Sequence, residues 1–115
     1  MGANMARRLK EEGYVIRSVH DRNSKGAESL ARELSCEAVS SAARVAELCD
    51  VVLTVVSDDA AMHEIFLEKS PNSLLAHAKD RLFINFATVN PEVHIKVEGL
   101  VERHGGASLE ALMAS

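Results

Sequence analysis

Hydrophobic and polar positions along this chain alternate between a helical spacing and short apolar runs, so predicted helices and strands follow one another throughout. Apolar residues at offsets of three, four and seven predict helices. Runs rich in β-branched residues, bounded by turn signals, predict strands. The predicted helices are one through Met5 and Leu9 ending at Gly13, then 24–34, 41–49, 59–66, one or two turns in 73–78, and 91–104. The predicted strands are residues 14–20, 37–39, 51–56, 81–86 and 107–109.

This strict alternation predicts an α/β fold, a doubly wound parallel sheet of the Rossmann-like kind with helices on both faces. Residues 51–56 are apolar on both faces, which is typical of a central parallel strand. The chain opens directly on a helix, whereas the first strand of a doubly wound fold lies at the centre of its sheet. We therefore expect residues 1–115 to form a partial domain whose first strand is missing from this chain, which implies that Met1 is not the natural start or that the chain is incomplete.

The composition argues against several classes of function but does not identify one. The 115 residues are enough for one domain, and 13 basic against 17 acidic side chains give a net charge of −4. This balance argues against binding to nucleic acids or acidic membranes, and no apolar run approaches the roughly 20 residues of a membrane span. Cys36 and Cys49 do not make a disulfide framework, so we expect buried or half-buried thiols and a cytoplasmic location. The five histidines lack zinc-ligand spacing, so no metal site is expected.

A glycine and an aspartate have a spacing typical of dinucleotide-binding folds. Gly2 opens the first helix, and Asp21 follows the next predicted strand 19 residues later. In such folds an acidic residue about 20 positions beyond the glycine-rich turn binds the adenosine ribose, and the pyrophosphate lies at the helix N-terminus. Taken alone, the pair is also compatible with ordinary turn residues.

Five segments resemble, in order, motifs of the β-hydroxyacid dehydrogenase family, which includes 3-hydroxyisobutyrate dehydrogenase, tartronate semialdehyde reductase and relatives of 6-phosphogluconate dehydrogenase. Residues 1–9 (MGANMARRL) resemble the end of its G-x-G-x-M-G-x-x-M-A-x-x-L fingerprint, and residues 19–23 (VHDRN) resemble the turn after its second strand. Residues 49–58 (CDVVLTVVSD) resemble its C-D-V-V-x-T-M-L-P-D segment, and residues 84–91 (INFATVNP) resemble its I-D-M-S-T-V-S-P segment. Residues 106–111 (GASLEA) resemble its G-x-x-x-L-D-A segment. The resemblance covers essentially the whole chain, and five motifs in order are far more specific than any one of them.

The resemblance implies that the chain is a partial dinucleotide-binding domain, residues 1–115, of an NAD(P)-dependent oxidoreductase. It implies that Asp21 binds the ribose hydroxyls of NAD, and that Arg22 lies where NADP-preferring members bind the 2′-phosphate. We expect NAD as the cofactor, with NADP as the alternative. The implied cofactor-binding residues are Gly2, Asn4, Met5, Asp21, Arg22, Val56, Ser57 and Thr88. For Thr88 the alternative is a hydroxyl that caps a helix or closes a turn.

The sequence departs from the family pattern at positions that matter for catalysis. Ser57 replaces a proline, and Ala114 occupies the position of a substrate-contacting serine, with Ser115 adjacent. No lysine matches the family's general acid, and Lys96 is expected to be a surface residue, so no catalytic residue is assigned. Asp58 and Asp59 are expected to cap the helix that follows them rather than to form a catalytic carboxylate pair. Ser40 or Ser41 is expected to cap the helix before residue 49, and Asn90 the helix that begins at Pro91.

The resemblance implies hydride transfer between the nicotinamide and a small 3-hydroxy acid or its semialdehyde, and a homo-oligomer. Two alternatives remain open at this point. The same fold could serve as a non-catalytic nucleotide-binding or dimerisation module, or as the cofactor-binding half of an imine reductase.

Overall fold

The computed structural model describes residues 2–111, which fold into alternating helices and strands. The elements are α1 (Gly2–Glu11), β1 (Ser18–Val19), α2 (Ser24–Leu34), β2 (Glu37–Ala38), α3 (Ala42–Leu48), β3 (Val51–Val56), α4 (Asp59–Ile65), a short 3₁₀ helix (Leu74–His77), β4 (Leu82–Ala87), α5 (Pro91–Arg103) and β5 (Ala107–Ala111). The predicted alternation is confirmed. None of the helices within this range is both long and apolar enough to cross a membrane.

The strands form two parallel groups, β1 with β2, and β3 with β4 and β5 in that order. The chain therefore adds strands in one direction from β1 to β2 and in the other from β3 to β5. This reversal is the mark of a doubly wound, Rossmann-like α/β fold, as the sequence predicted.

No strand of residues 2–111 pairs with the edge of β3 that faces away from β4. Two contacts nevertheless set β1 beside β3. At their amino ends the Ser18 hydroxyl lies 3.4 Å from the Cys49 thiol, and α3 packs against both strands. The gap between β1 and β3 lies where the missing first strand was predicted. Within the described residues β3 is accordingly an edge strand rather than the central strand that its apolar pattern indicated.

Residues 14–20 do not form the single strand that their β-rich composition predicted. Only Ser18 and Val19 are paired with β2, the Arg17 carbonyl accepts one hydrogen bond from the backbone N–H of Glu37, and Tyr14 and Val15 are 65% and 90% exposed. The physical reason is that a strand needs a partner. The neighbour β2 is only two residues long, so the apolar residues before Ser18 have no ladder to join.

Helix starts follow the polar residues identified in the sequence. Ser41, rather than Ser40, caps α3, and the Asp58 carboxylate accepts a 2.7 Å hydrogen bond from the backbone N–H of Ala61 at the start of α4. Asn90 caps α5 with Pro91 in its first turn, where a missing N–H costs nothing. These local signals explain why the helix boundaries could be predicted closely.

The main core lies on one face of β3 and β4, beneath α3, α4, the 3₁₀ helix and α5. The rings of Phe66 and Phe83 meet edge to face with centroids 5.6 Å apart. A buried hydrogen bond of 2.7 Å from the Thr54 hydroxyl to the Asn85 amide oxygen joins the two strands above them. The core cluster consists of Ala46, Val52, Met62, Phe66, Leu74, Leu75, Ala78, Phe83, Val93, Val97, Leu100 and Val101. This packing fixes the carboxyl ends of β3 and β4, where the candidate site lies.

Candidate functional site

The predicted site residues come together at the carboxyl ends of the strands. Asp21 follows β1, Ser57 follows β3 and Thr88 follows β4. The strands β1 and β3 run the same way, because Ser18 contacts Cys49 at their amino ends and Arg22 contacts Glu64 beyond their carboxyl ends. The edge at which strand order reverses is the place where open α/β sheets bind ligands. The residues after β1 and β3 therefore flank this switch point.

The amino end of α1 lies against β3 at the same edge. A Cβ added to Gly2 would lie 3.6 Å from Val55 Cβ, which is an ordinary van der Waals contact. Packing of helix on strand therefore does not require glycine at this position. The ten-residue helix carries no acidic residue in its first turn, so its N-terminal backbone N–H groups and dipole favour an anion there.

Asn4 and Met5, the other predicted residues of α1, are differently placed. Met5 is half-buried, whereas Asn4 is exposed and its amide oxygen accepts a 2.9 Å hydrogen bond from Arg7 Nη1. Arg7 in turn pairs with Glu33 of α2. The hydrogen bond from Arg7 lowers the pKa of the Glu33 carboxyl below its usual range. In this arrangement Asn4 belongs to the contact between α1 and α2.

The Asp21 carboxylate is exposed in the loop after β1. Its Oδ1 accepts a 3.1 Å hydrogen bond from the backbone N–H of Asn23, which orients the exposed carboxylate. Within residues 2–111 the second carboxylate oxygen has no hydrogen-bond partner. An ionised carboxylate can accept hydrogen bonds from two hydroxyls, which is what a ribose with adjacent hydroxyl groups offers.

Arg22 has a partner that the sequence did not suggest. Its Nη2 donates a hydrogen bond of 2.7 Å to Glu64 Oε2 on α4, and the two side chains are 69% and 66% exposed. The pair joins the loop after β1 to the helix after β3. No local pattern could have shown it, because the two residues are 42 positions apart.

A cleft of about 380 Å³ opens beside this ion pair, between the carboxyl ends of β1 and β2 and the end of α4. Its lining includes His20, Ser41, Glu64, Leu67 and Asn72. The His20 ring is held by a 2.9 Å hydrogen bond between its Nδ1 and the carbonyl oxygen of Val39. The volume lies within the roughly 300–1,000 Å³ of small-molecule sites, and polar groups predominate in its lining.

The loops after β3 and β4 are tied to each other. Asp59 does not cap α4, which is the role of Asp58. Instead its Oδ1 accepts a 3.0 Å hydrogen bond from the backbone N–H of Asn90. Thr88 lies in the loop after β4, two residues before Asn90, and its side chain is exposed. Its hydroxyl makes no hydrogen bond within residues 2–111. The alternative of a capping hydroxyl at Thr88 is therefore wrong, because Asn90 caps α5.

Val56 and Ser57 occupy the corresponding loop after β3. Val56 is the last residue of that strand and is half-buried, whereas Ser57 is exposed in the bend before α4. With Thr88 they place one aliphatic and two hydroxyl side chains along this part of the edge. The assignment of these residues to the cofactor stays a prediction.

The residues considered for other chemistry are spread over the surface or outside the described range. Lys96 is exposed on α5, and residues 2–111 contain no group of three His, Cys, Asp or Glu side chains that could hold a metal ion. Cys36 and Cys49 are half-buried free thiols, and burial raises the pKa of the Cys36 thiol. The substrate-serine positions Ala114 and Ser115 lie outside the described residues.

Comparison with known proteins finds solved structures of similar fold along the whole chain. The chain is similar over its full length to Mycobacterium tuberculosis 3-hydroxyisobutyrate dehydrogenase in a structure with L-serine, with 28% identity and a TM-score of 0.84. It also matches the fold of an imine reductase from Myxococcus stipitatus in complex with NADP⁺, with 15% identity and a TM-score of 0.84. A variant of that reductase in complex with NAD⁺ has 16% identity and a TM-score of 0.85.

The chain spans 38% of the length of each of these three solved structures. No curated protein matches it significantly. A family model described as the NAD binding domain of 6-phosphogluconate dehydrogenase matches residues 1–112, nearly the whole chain. The chain therefore belongs to the family of NAD-binding domains that is typified by 6-phosphogluconate dehydrogenase.

Proposed function

We propose that residues 1–115 are a partial dinucleotide-binding domain that supplies the NAD site of an oxidoreductase acting on a small 3-hydroxy acid or its semialdehyde. The observation that carries this proposal is the oriented carboxylate of Asp21 at the switch-point edge, across from the amino end of α1. The carboxylate suits the adenosine ribose, and the helix end suits the pyrophosphate. The nicotinamide supplies the hydride chemistry, and the protein contributes position and electrostatics.

The remaining predicted residues fit an extended ligand along the same edge. Ser57 and Thr88 offer exposed hydroxyls after β3 and β4, and the contact between Asp59 and Asn90 holds their two loops together. A dinucleotide that reaches from Asp21 to Thr88 would place its adenosine end by β1 and its nicotinamide end by β4. We assign no general acid to this chain.

The choice of substrate class follows the degree of similarity. The 3-hydroxyisobutyrate dehydrogenase is 28% identical, whereas the two imine reductase structures compared above are 15% and 16% identical and carry information on the fold alone. This difference favours a hydroxy acid over an imine. A non-catalytic nucleotide-binding module on the same fold is the second candidate, because the residues along this edge could bind a dinucleotide without taking part in a reaction. Residues 1–115 alone are expected to show no turnover, because they contain no assigned general acid. In an enzyme that carries this domain, hydride transfer from NADH to a 3-oxo acid, and not to a cyclic imine, would separate these possibilities.

The proposed cofactor site is tested by Asp21→Asn, which keeps the shape of the side chain and removes its charge. Loss of charge-assisted hydrogen bonds to the ribose should weaken NADH binding about ten- to a hundredfold. NADPH should lose less, because Asp21 repels its 2′-phosphate. Titration of the purified protein with both dinucleotides, followed by nicotinamide fluorescence, measures the two affinities.

Asp80→Asn is the matched control, since Asp80 is an exposed aspartate before β4, at the other end of the strands. Its φ of 62° is a conformation that asparagine tolerates well. This variant should bind both dinucleotides like the wild type. Equal weakening of NADH and NADPH by Asp21→Asn would contradict the assignment of Asp21 to the ribose.

A further inference from the structure

The ion pair between Arg22 and Glu64 has a consequence for cofactor choice. Arg22 is the only arginine or lysine in the loop between β1 and α2, and its guanidinium is held by a carboxylate of α4 at 2.7 Å. Glu64 also lines the cleft of about 380 Å³ beside this loop. A group bound to Arg22 would therefore have the Glu64 carboxylate as its neighbour.

We propose that Glu64 makes the protein prefer NAD over NADP by occupying Arg22. This inference rests on the proposed function, because it requires that the adenosine ribose lies beside Asp21. Glu64 would be a specificity-determining residue that acts through another side chain, and it is given no contact with the reacting part of the cofactor.

The chemistry of the two cofactors explains the expected discrimination. A 2′-phosphate is best bound by two N–H donors of one guanidinium, in parallel hydrogen bonds. In the observed arrangement one terminal nitrogen of Arg22 already donates to Glu64, so the phosphate must displace the carboxylate or share the guanidinium with it. The displaced carboxylate remains near the phosphate and repels it. NAD has no 2′-phosphate, so its ribose hydroxyls can bind without displacing the Glu64 carboxylate and without sharing the guanidinium.

The magnitude is bounded by the exposure of the pair. Both side chains are about two-thirds exposed, and ion pairs of this kind contribute little because water and salt screen them. Removal of the carboxylate should therefore tighten NADPH binding by about two- to fivefold and leave NADH binding unchanged. The gain should shrink as the salt concentration rises.

The test compares Glu64→Gln with Glu68→Gln, using the full chain and titrations with NADH and NADPH. Glu68 is an exposed glutamate four residues further on, and its nearest basic partner is Arg103 at 3.9 Å. We expect only Glu64→Gln to shift the ratio of the two affinities toward NADPH. In an Arg22→Ala background, Glu64→Gln should lose most of that effect. A structural role for Glu64 would move both affinities together and would not depend on Arg22.

Three outcomes would overturn the inference. The ratio could stay unchanged in Glu64→Gln, it could change equally in Glu68→Gln, or the full shift could persist without Arg22. If the wild-type protein bound neither dinucleotide, the proposed function itself would be refuted, and this inference with it. An unchanged ratio in a protein that binds NADH would refute the inference alone.

Discussion

Among the glycines of residues 2–111, Gly106 has the least room for a side chain, and it lies between the end of α5 and the start of β5. A Cβ added there would lie 2.5 Å from the carbonyl oxygen of Ala78, 3.0 Å from Val101 Cγ1 and 3.1 Å from the carbonyl oxygen of Arg81. Both carbonyls are already fixed by hydrogen bonds, from the N–H of Arg81 and from the N–H of Ala107, each at 3.0 Å. Neither carbonyl can move away without loss of a hydrogen bond in the turn that leads into β4 or β5.

Gly106→Ala should therefore lower the free energy of unfolding by about 2–3 kcal/mol, the upper part of the range for one methyl group forced into a packed site. For a chain of this length that corresponds to a fall in Tm of roughly 10 °C. Thermal unfolding followed by circular dichroism, at one protein concentration, measures the change.

Gly99→Ala is the control, because Gly99 lies within α5 and, beyond the adjacent residues and backbone of that helix, an added Cβ meets no atom of the described residues within 4 Å. Alanine should raise stability there by about 0.5–1 kcal/mol, since it loses less backbone entropy than glycine in a helix. The two substitutions are chemically identical, so opposite signs would come from the different surroundings of the two positions, open space in a helix at Gly99 and close backbone contacts at Gly106. A Gly106→Ala protein as stable as the wild type would refute the reasoning.

Three further predictions concern the core, the open edges and a surface ion pair. Thr54→Val should lower the free energy of unfolding by about 1–3 kcal/mol, because it leaves a buried amide oxygen without its donor, whereas Thr54→Ser should cost clearly less; urea unfolding of both variants checks this. No strand of residues 2–111 pairs with the facing edges of β1 and β3, so these edges should make the protein self-associate, and a monomer at every concentration in sedimentation experiments would contradict this. Arg7→Gln should raise the pKa of Glu33 toward its usual value, which carboxylate NMR measures. Because the pKa of Glu33 is lowered in the folded protein, the Arg7–Glu33 pair stabilises the fold above the unfolded-state pKa of Glu33. This stabilisation is lost as the pH falls through the lowered pKa of the folded state.

The sequence predicted those features of the fold that depend on neighbouring residues. Caps such as Asp58 and Asn90 bond to backbone groups two or three positions away, so their residue type marks the helix start directly. The strand 51–56 was predicted with its observed bounds, because its apolar run lies between clear polar boundaries. The strand predicted at residues 14–17 does not form, because its formation does not depend on neighbouring residues alone. Their β-rich composition is a local property, whereas a ladder depends on a partner elsewhere in the chain.

For the candidate site, too, the sequence predicted only what depends on neighbouring residues. Asp21, Ser57 and Thr88 could be selected because each follows a predicted strand, and parallel strands bring their carboxyl ends to one edge. What each side chain contacts could not be predicted. The Glu64 partner of Arg22 and the link from Asp59 to Asn90 join residues 42 and 31 positions apart, and a single exposed carboxylate in a sequence carries no signal of its partner.

The proposed cofactor site is divided between the two strand groups. Asp21 and Arg22 belong to the group of β1 and β2, whereas Ser57 and Thr88 belong to the group of β3, β4 and β5. Among the described residues, no strand hydrogen bonds join the groups, which are held together by helix packing and by contacts such as that of Arg22 with Glu64. A dinucleotide bound along the edge would contact both groups at once. Its binding free energy would therefore include the cost of fixing the adenosine side relative to the nicotinamide side, and each contact across the gap that orders the groups beforehand would lower that cost.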